Sequence, residues 1–486
     1  RDTESLIMPS PVESAIRGVV TKGVVAIADF NRERKKSKGP NPFLEGLHTP
    51  VTEEVTDTAL KVTGEIPAAL NGLYVRNGPN PLAKVNAATH HWFIGDAMIH
   101  GIRLQDGKAL WYRNRWVRSN AVSDALGEPR APGPRHPRTD VANTNIVGHA
   151  GKLWAIVEAG GYPVEMADDL TTVAHSDFDG TLGESYSAHP HVDPDTGEMH
   201  AICYEAQHPD TIWHTVVDTS GHVRRNEPIA VKNGPMIHDC QITPNYVIVM
   251  DLPVTFSMSA LMGGASFPFR WNPKHKARIG LLPREGRGED IIWCDVDPCY
   301  IFHPANAYET EDGKVVMDAC VYETMFDTDG HGPDSPTAKF ESLTMDPVAK
   351  TVTREVVDPS PQEFPRYDER LTGKPYRYVY AVALPDQADD GFVGATCLFK
   401  HDLGTGKRDV HDFGPGRVPA EFVFVPAHEN AGEDEGWVIG YVSNVESGTS
   451  DFVVLDAANF TAPPVAEVHI PYRIPPGFHG NFVPQA

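Results

Sequence analysis

Four histidines stand in short, similar settings at the ends of strand-like runs: His189 in SAHPH, His238 in PMIHDC, His303 in YIFHPANA and His479 in GFHGNF. Their successive gaps of 49, 65 and 176 residues are too wide for a zinc finger or a His-x-x-x-His helix pair. They can meet only where a closed, repetitive fold aims several strands at one axis. A central metal site is the chemistry they suggest. Neutral imidazole suits divalent iron, copper, nickel and zinc alike, and four of them leave the full +2 charge on the ion with one or two positions open for small ligands.

Other chemistries lack their residues. There is no GxSxG nucleophile elbow, no GxxxxGK[ST] phosphate loop, no HExxH and no strand–GxGxxG–helix unit. The run 327–338 opens like a calcium loop, but its twelfth position is Ala338, where a bidentate glutamate is needed. The six cysteines show no CxxC spacing, so neither a disulfide scaffold nor a thiolate site is indicated. Reduced thiols point to the cytoplasm. With 42 basic against 66 acidic residues the net charge is −24, which repels phosphate backbones and makes nucleic acid an unsuitable partner.

The elements that would position the histidines are strands. From about residue 50 the chain is punctuated by Asp106-Gly107, Asp179-Gly180, DPDTGE (193–198), DTSG (218–221), EDGK (311–314) and DLGTGK (402–407). Between them lie β-rich runs such as YVIVMDL, KVVMDACVY and FVVLDA, a pattern of successive hairpins. An all-β propeller accommodates 486 residues in one domain and brings distant histidines to one axis. Residues 1–40 lack the turn pattern and read as an arm laid over a single catalytic domain spanning 41–486; its basic run, Arg32 to Lys38, reads as a solvated stretch. No apolar stretch reaches the length of a membrane span or has the form of a cleaved leader.

Seven ordered motifs carry a family resemblance: NGLYVRNGPNP (71–81), HWFIGDAMIHG (91–101), ANTNIVGHAGKLWAIVEAGG (142–161), SAHPHVDPDTGE (187–198), MIHDCQIT (236–243), EFPRYDER (363–370) and IPPGFHGNFVP (474–484). Together they resemble the carotenoid cleavage oxygenases, from about residue 41 to the C-terminus. The resemblance implies a seven-bladed β-propeller with a helix and loop cap over the metal-bearing face. It also implies Fe(2+) held by His189, His238, His303 and His479. Family glutamates hydrogen-bond three of the four ligands, which pairs Glu158 with His238, Glu363 with His303 and Glu421 with His479 and leaves His189 without a carboxylate. Thr144, in ANTN, matches a position whose side chain crowds one open coordination site.

An iron oxygenase with no site for a flavin, nicotinamide or oxoacid must draw electrons from its substrate, which calls for an electron-rich double bond. A conjugated polyene or a hydroxystilbene qualifies, and O2 would convert the cleaved bond into two carbonyl groups. Aromatic faces would stabilise cationic character on the substrate. The candidates beside the motifs are Trp92, Phe93, Tyr112 and Phe302. Relatives that cleave phenolic stilbenes carry a lysine immediately before the glutamate of the third motif, where with a tyrosine it activates the phenol. Here that position is Val157, while Tyr112 stands where the tyrosine is expected. A phenolate without its cationic partner is disfavoured, so the expected substrate is a lipophilic carotenoid or apocarotenoid, and a stilbene or phenylpropanoid is the alternative. The stretch 251–271, rich in Met, Phe, Leu and small residues, suits a greasy tunnel lip in peripheral contact with a membrane.

Overall fold

The computed structural model describes residues 11–335, 338–386 and 392–485, with side chains from residue 20. Runs of β-branched and aromatic residues between tight turns form antiparallel meanders. Asp106 and Gly107 show the turn chemistry: both take positive φ, 50° and 71°, and as a two-residue loop they join the strands Ala97–Gln105 and Lys108–Trp116. Asp179-Gly180 differs from expectation. It lies in the connection between two sheets, after Thr172–His175, and joins no hairpin.

Four-stranded sheets built from consecutive strands cover 145–175, 191–230 and 362–412. A six-stranded sheet holds the segments between Arg417 and Ile470 together with Lys61–Gly64. An eight-stranded sheet spans 240–358, its two halves joined only by the parallel pair Asp295 and Thr351. The remaining large sheet closes the ring, because the C-terminal strand Gly480–Pro484 runs antiparallel to Gly72–Pro79. Closure is tight enough to demand a glycine, since a Cβ on Gly480 would lie 2.6 Å from the Val75 carbonyl oxygen. The chain is thus an all-β, propeller-like assembly with few helices.

Between sheets the core is aliphatic and aromatic, with Ile248, Val249, Ile279, Leu281, Phe340 and Phe452 essentially without solvent contact. Each such side chain contributes about 1.5–3 kcal/mol on burial. The ring is therefore held by its own packing and closing strand. Among the described residues all six cysteines are free, and no helix is long and apolar enough to cross a membrane.

The expected arm contains a helix, Pro11–Arg34, while residues 1–10 lie outside the described residues. Its C-terminal end meets the last residue of the short helix Met258–Met262 and the segment after it: Asn31 Nδ2 donates to the Met262 carbonyl at 2.6 Å and Arg32 Nε to that of Gly264 at 3.3 Å. Lys35 is not simply solvated, because its ammonium pairs with Asp329 at 3.0 Å.

Candidate metal centre

The four histidines each sit just before the strand at one end of their sheet's order, where those strands begin at the axis. His189 precedes His191–Val192, His238 precedes Cys240–Ile242, His303 precedes Pro304–Glu309 and His479 precedes Gly480–Pro484. One donor atom from each of the four buried rings falls within 4.8 Å of the others. Nε2 of His238 is 3.1 Å from Nε2 of both His189 and His303, and the His479 ring centroid is 4.5 Å and 4.6 Å from those of His189 and His303.

Three of the outward nitrogens face carboxylates. Nδ1 of His238 lies 2.6 Å from Glu158 Oε1, Nδ1 of His303 2.6 Å from Glu363 Oε2, and Nδ1 of His479 2.8 Å from Glu421 Oε2. A proton on each Nδ1 leaves the Nε2 lone pairs converging on one point. Neutral lone pairs facing one another at 3.1 Å repel unless a cation lies between them, so this donor set fits a divalent metal.

The carboxylates have further partners that sequence reasoning missed. Tyr204 donates to Glu158 at 2.6 Å, and Tyr322 donates to Glu363 at 3.1 Å. Arg366, inside the EFPRYDER motif, donates to Glu421 at 2.8 Å. Burial alone would raise the Glu421 carboxyl, but Arg366 and His479 beside it bring it down to about 2. Burial would likewise lower His303, and Glu363 outweighs it, leaving this imidazole above its ordinary value. For His189, burial and the neighbouring rings push proton affinity well down. His189 also has a carboxylate nearby after all: Asp239 Oδ2 lies 3.5 Å from its Nδ1, while Oδ1 of the same group is 2.8 Å from His191 Nε2. The signal was its position, immediately after His238.

Above the cluster opens a cavity of about 350 Å³. His238, His303 and His479 reach it, as do Thr144, Val157, Glu158 and Glu363, and its apolar walls include Trp92, Phe93 and Phe302. Phe302 packs edge-on against His238 at 5.1 Å, and Phe93 against Phe302 at 6.0 Å. Thr144 is held there by its backbone N–H to Ile156 and its carbonyl to the His479 N–H. Glu421 lies behind His479 on the far side of the cluster, where it borders a second cavity that His189 also lines.

Tyr112 is not at the site. It is fully buried in the core between its own sheet and the six-stranded sheet, its hydroxyl 2.8 Å from His100 Nδ1. Its strand, Lys108–Trp116, stands away from the axis, next to last in the order of its sheet, so no side chain on it reaches the cavity.

The profile of the retinal pigment epithelial membrane protein family matches residues 48–484. The chain belongs to that family, the carotenoid cleavage oxygenases. A carotenoid cleavage oxygenase of Mycobacterium tuberculosis is 43% identical across 92% of this chain and 98% of its own length. Among solved structures, the lignostilbene dioxygenase of Pseudomonas brassicacearum superposes with a TM-score of 0.82 at 26% identity, covering 92% of this chain and all of that one. The cobalt-substituted apocarotenoid oxygenase (ACO) of Synechocystis gives 0.80 at 26% identity, covering 93% and all of it. Enzymes named for an apocarotenoid and for a lignostilbene thus share this scaffold.

Proposed function

We propose that the chain is a non-haem Fe(II) dioxygenase that cleaves a C=C bond of a carotenoid or apocarotenoid with O2 to give two carbonyl products. The observation that carries this is the aromatic and aliphatic cavity opening directly onto three of the four converging imidazoles, His238, His303 and His479. His189, His238, His303 and His479 would hold the metal, with Glu158, Glu363 and Glu421 fixing three of the rings. Fe(II), when bound, supplies the one-electron chemistry by which triplet dioxygen reacts with a closed-shell alkene. Phe93, Phe302 and Trp92 exclude water and present π faces to positive character on the polyene. Thr144 narrows the space beside His479. Anaerobic purification with metal analysis, followed by product mass spectrometry on carotenoids, apocarotenals and stilbenes, tests the reading. Paired carbonyl fragments from a polyene are expected, and cleavage of stilbenes alone would overturn it.

Glu363→Gln should lower metal retention or turnover roughly tenfold or more, as changes behind a ligand do. The amide no longer accepts strongly from His303 Nδ1, although the Tyr322 and Phe364 donors keep the side chain in place. Unchanged iron affinity and rate would show that Glu363 orients nothing.

Dividing the eight-stranded sheet at the lone Asp295–Thr351 pair gives seven meanders, which supports seven blades. Residues 41–486 are read as one catalytic unit, with the preceding arm and the 251–271 segment as a cap. Phe256, Phe267 and Phe269 of that segment line the cavity, while Met258 and Met262 face solvent, as do Val20, Val25, Ile27 and Phe30 of the neighbouring helix. A lip apolar on both sides suits transfer of a lipophilic substrate from a membrane surface. Co-sedimentation with phosphatidylcholine vesicles should fall at least roughly threefold in Phe30→Glu/Met258→Glu, and equal sedimentation would refute the contact.

A further inference from the structure

Glu205 is a buried carboxylate that the metal centre does not use. It follows Tyr204 at the end of the strand Met199–Tyr204, its side chain is 1% exposed, and neither oxygen has a hydrogen-bond donor. Its nearest basic neighbour is His136, whose Nε2 is 3.4 Å from Oε1. An ionised group so placed costs several kcal/mol unless something positive compensates it.

Two further ligating side chains converge on the same point. In the hairpin connection, the His208 N–H donates to the Glu205 carbonyl at 3.0 Å, folding residues 205–208 into a turn that brings the imidazole over the carboxylate. Glu184, from the loop before His189, approaches from the other side, with Oε2 3.5 Å from His208 Nε2. One ligand atom each from Glu184, Glu205 and His208 lies within 4.8 Å of the others. Zinc with oxygen and nitrogen ligands at about 2.1 Å places neighbouring ligand atoms about 3.4 Å apart when tetrahedral. The His208–Glu184 spacing already matches that edge, and the remaining closure falls on side chains free to move, 39% and 54% exposed.

We infer that Glu184, Glu205 and His208 form a second divalent cation site, of the zinc class, separate from the four-histidine centre. Two carboxylates and one imidazole carry a formal charge of −2, which a dication neutralises, and a water completes four-coordination. His136 borders the buried side of Glu205. The site lies directly behind the loop that carries Glu158: a Cβ on Gly160 would touch His136 Cε1 at 3.4 Å and Glu205 Cγ at 3.8 Å, and Tyr204, next to Glu205, bonds Glu158. A bound ion therefore clamps the hairpin turn to the Glu184 loop, which leads into His189, beside the loop that supports His238.

The test is metal stoichiometry. Iron-loaded enzyme is dialysed against zinc chloride, then against metal-free buffer, and total metal per chain is measured. Total metal is counted because zinc can also displace iron from the four imidazoles. Two ions per chain are expected in the wild type and one in Glu205→Gln, His208→Ala and Glu184→Ala. Glu184 and His208 have exposed side chains, so these two variants report even where Glu205→Gln fails to fold. By calorimetric titration of the iron-loaded enzyme with zinc chloride, each should weaken the second binding event by roughly tenfold or more. A single ion in the wild type, or two in the His208 and Glu184 variants, overturns the inference.

Discussion

Replacing His303 by Ala removes bound metal and brings turnover down to that of a metal-free sample, while the circular dichroism spectrum stays that of an intact all-β protein. Three imidazoles remain, but one edge of the site becomes empty space and Glu363 loses the nitrogen it faces at 2.6 Å. The fold survives because its ring is closed by the pairing of Gly480–Pro484 with Gly72–Pro79 and by packing between sheets. Glu363 itself keeps the Tyr322 hydroxyl and the Phe364 N–H, so the variant does not leave a bare buried charge. Ligand linkage gives a second readout. At free Fe(II) a hundredfold above Kd the wild type gains about 2.7 kcal/mol of stability, and the variant gains none. Stoichiometric iron in His303→Ala, or an iron-dependent rise in its Tm, would remove His303 from the ligand set.

The convergence of the four histidines was legible because short motifs at strand ends can be read without knowing the path between them. Each histidine sits within two residues of an axial strand, and the ring supplies the rest. The carboxylates facing three of them were legible only through resemblance, since nothing in the spacing of Glu158 and His238 says that they touch. Asp239 shows the reverse. It stands beside His238 in sequence yet turns toward His189 and His191, because adjacent residues at a strand start point to opposite sides. Tyr112 failed for a related reason: its motif neighbourhood was right, but radial position in a sheet is set by strand order, which turn signals do not encode. The arm's helix was hidden by its basic end and by a sequence without turn punctuation, and the Asp179-Gly180 turn shows that such a dipeptide marks a reversal without telling whether it lies within a sheet or between two. The Glu205 cluster carried no sequence signal at all. Its residues come from a turn and a preceding loop that only the folded hairpin brings together.

Placing a lysine at position 157 should cut cleavage of an apocarotenoid roughly tenfold to a hundredfold. Val157 lines the cavity immediately before Glu158, packed so closely against the next turn that a Cβ on Gly161 would lie 2.1 Å from its Cγ1. An ammonium there has no free carboxylate, because the oxygens of Glu158 already face His238 and Tyr204. Burying a polar group without a partner costs about 1–3 kcal/mol by mutational data, and each 1.4 kcal/mol is a factor of about ten. The same change should not confer activity on a 4-hydroxystilbene. Phenol activation by lysine needs a second hydroxyl at the site, and Tyr112 spends its own on His100, in the core of another part of the ring. Tyr112→Phe should accordingly lower stability by about 0.5–1.5 kcal/mol, the usual worth of one hydrogen bond, and leave the ratio of kcat/KM values for the two substrates where it was. Comparing wild type, Val157→Lys and Tyr112→Phe on one apocarotenoid and one hydroxystilbene decides the matter. A wild-type preference for the stilbene that disappears in Tyr112→Phe would place that tyrosine in contact with substrate and make the enzyme a stilbene dioxygenase.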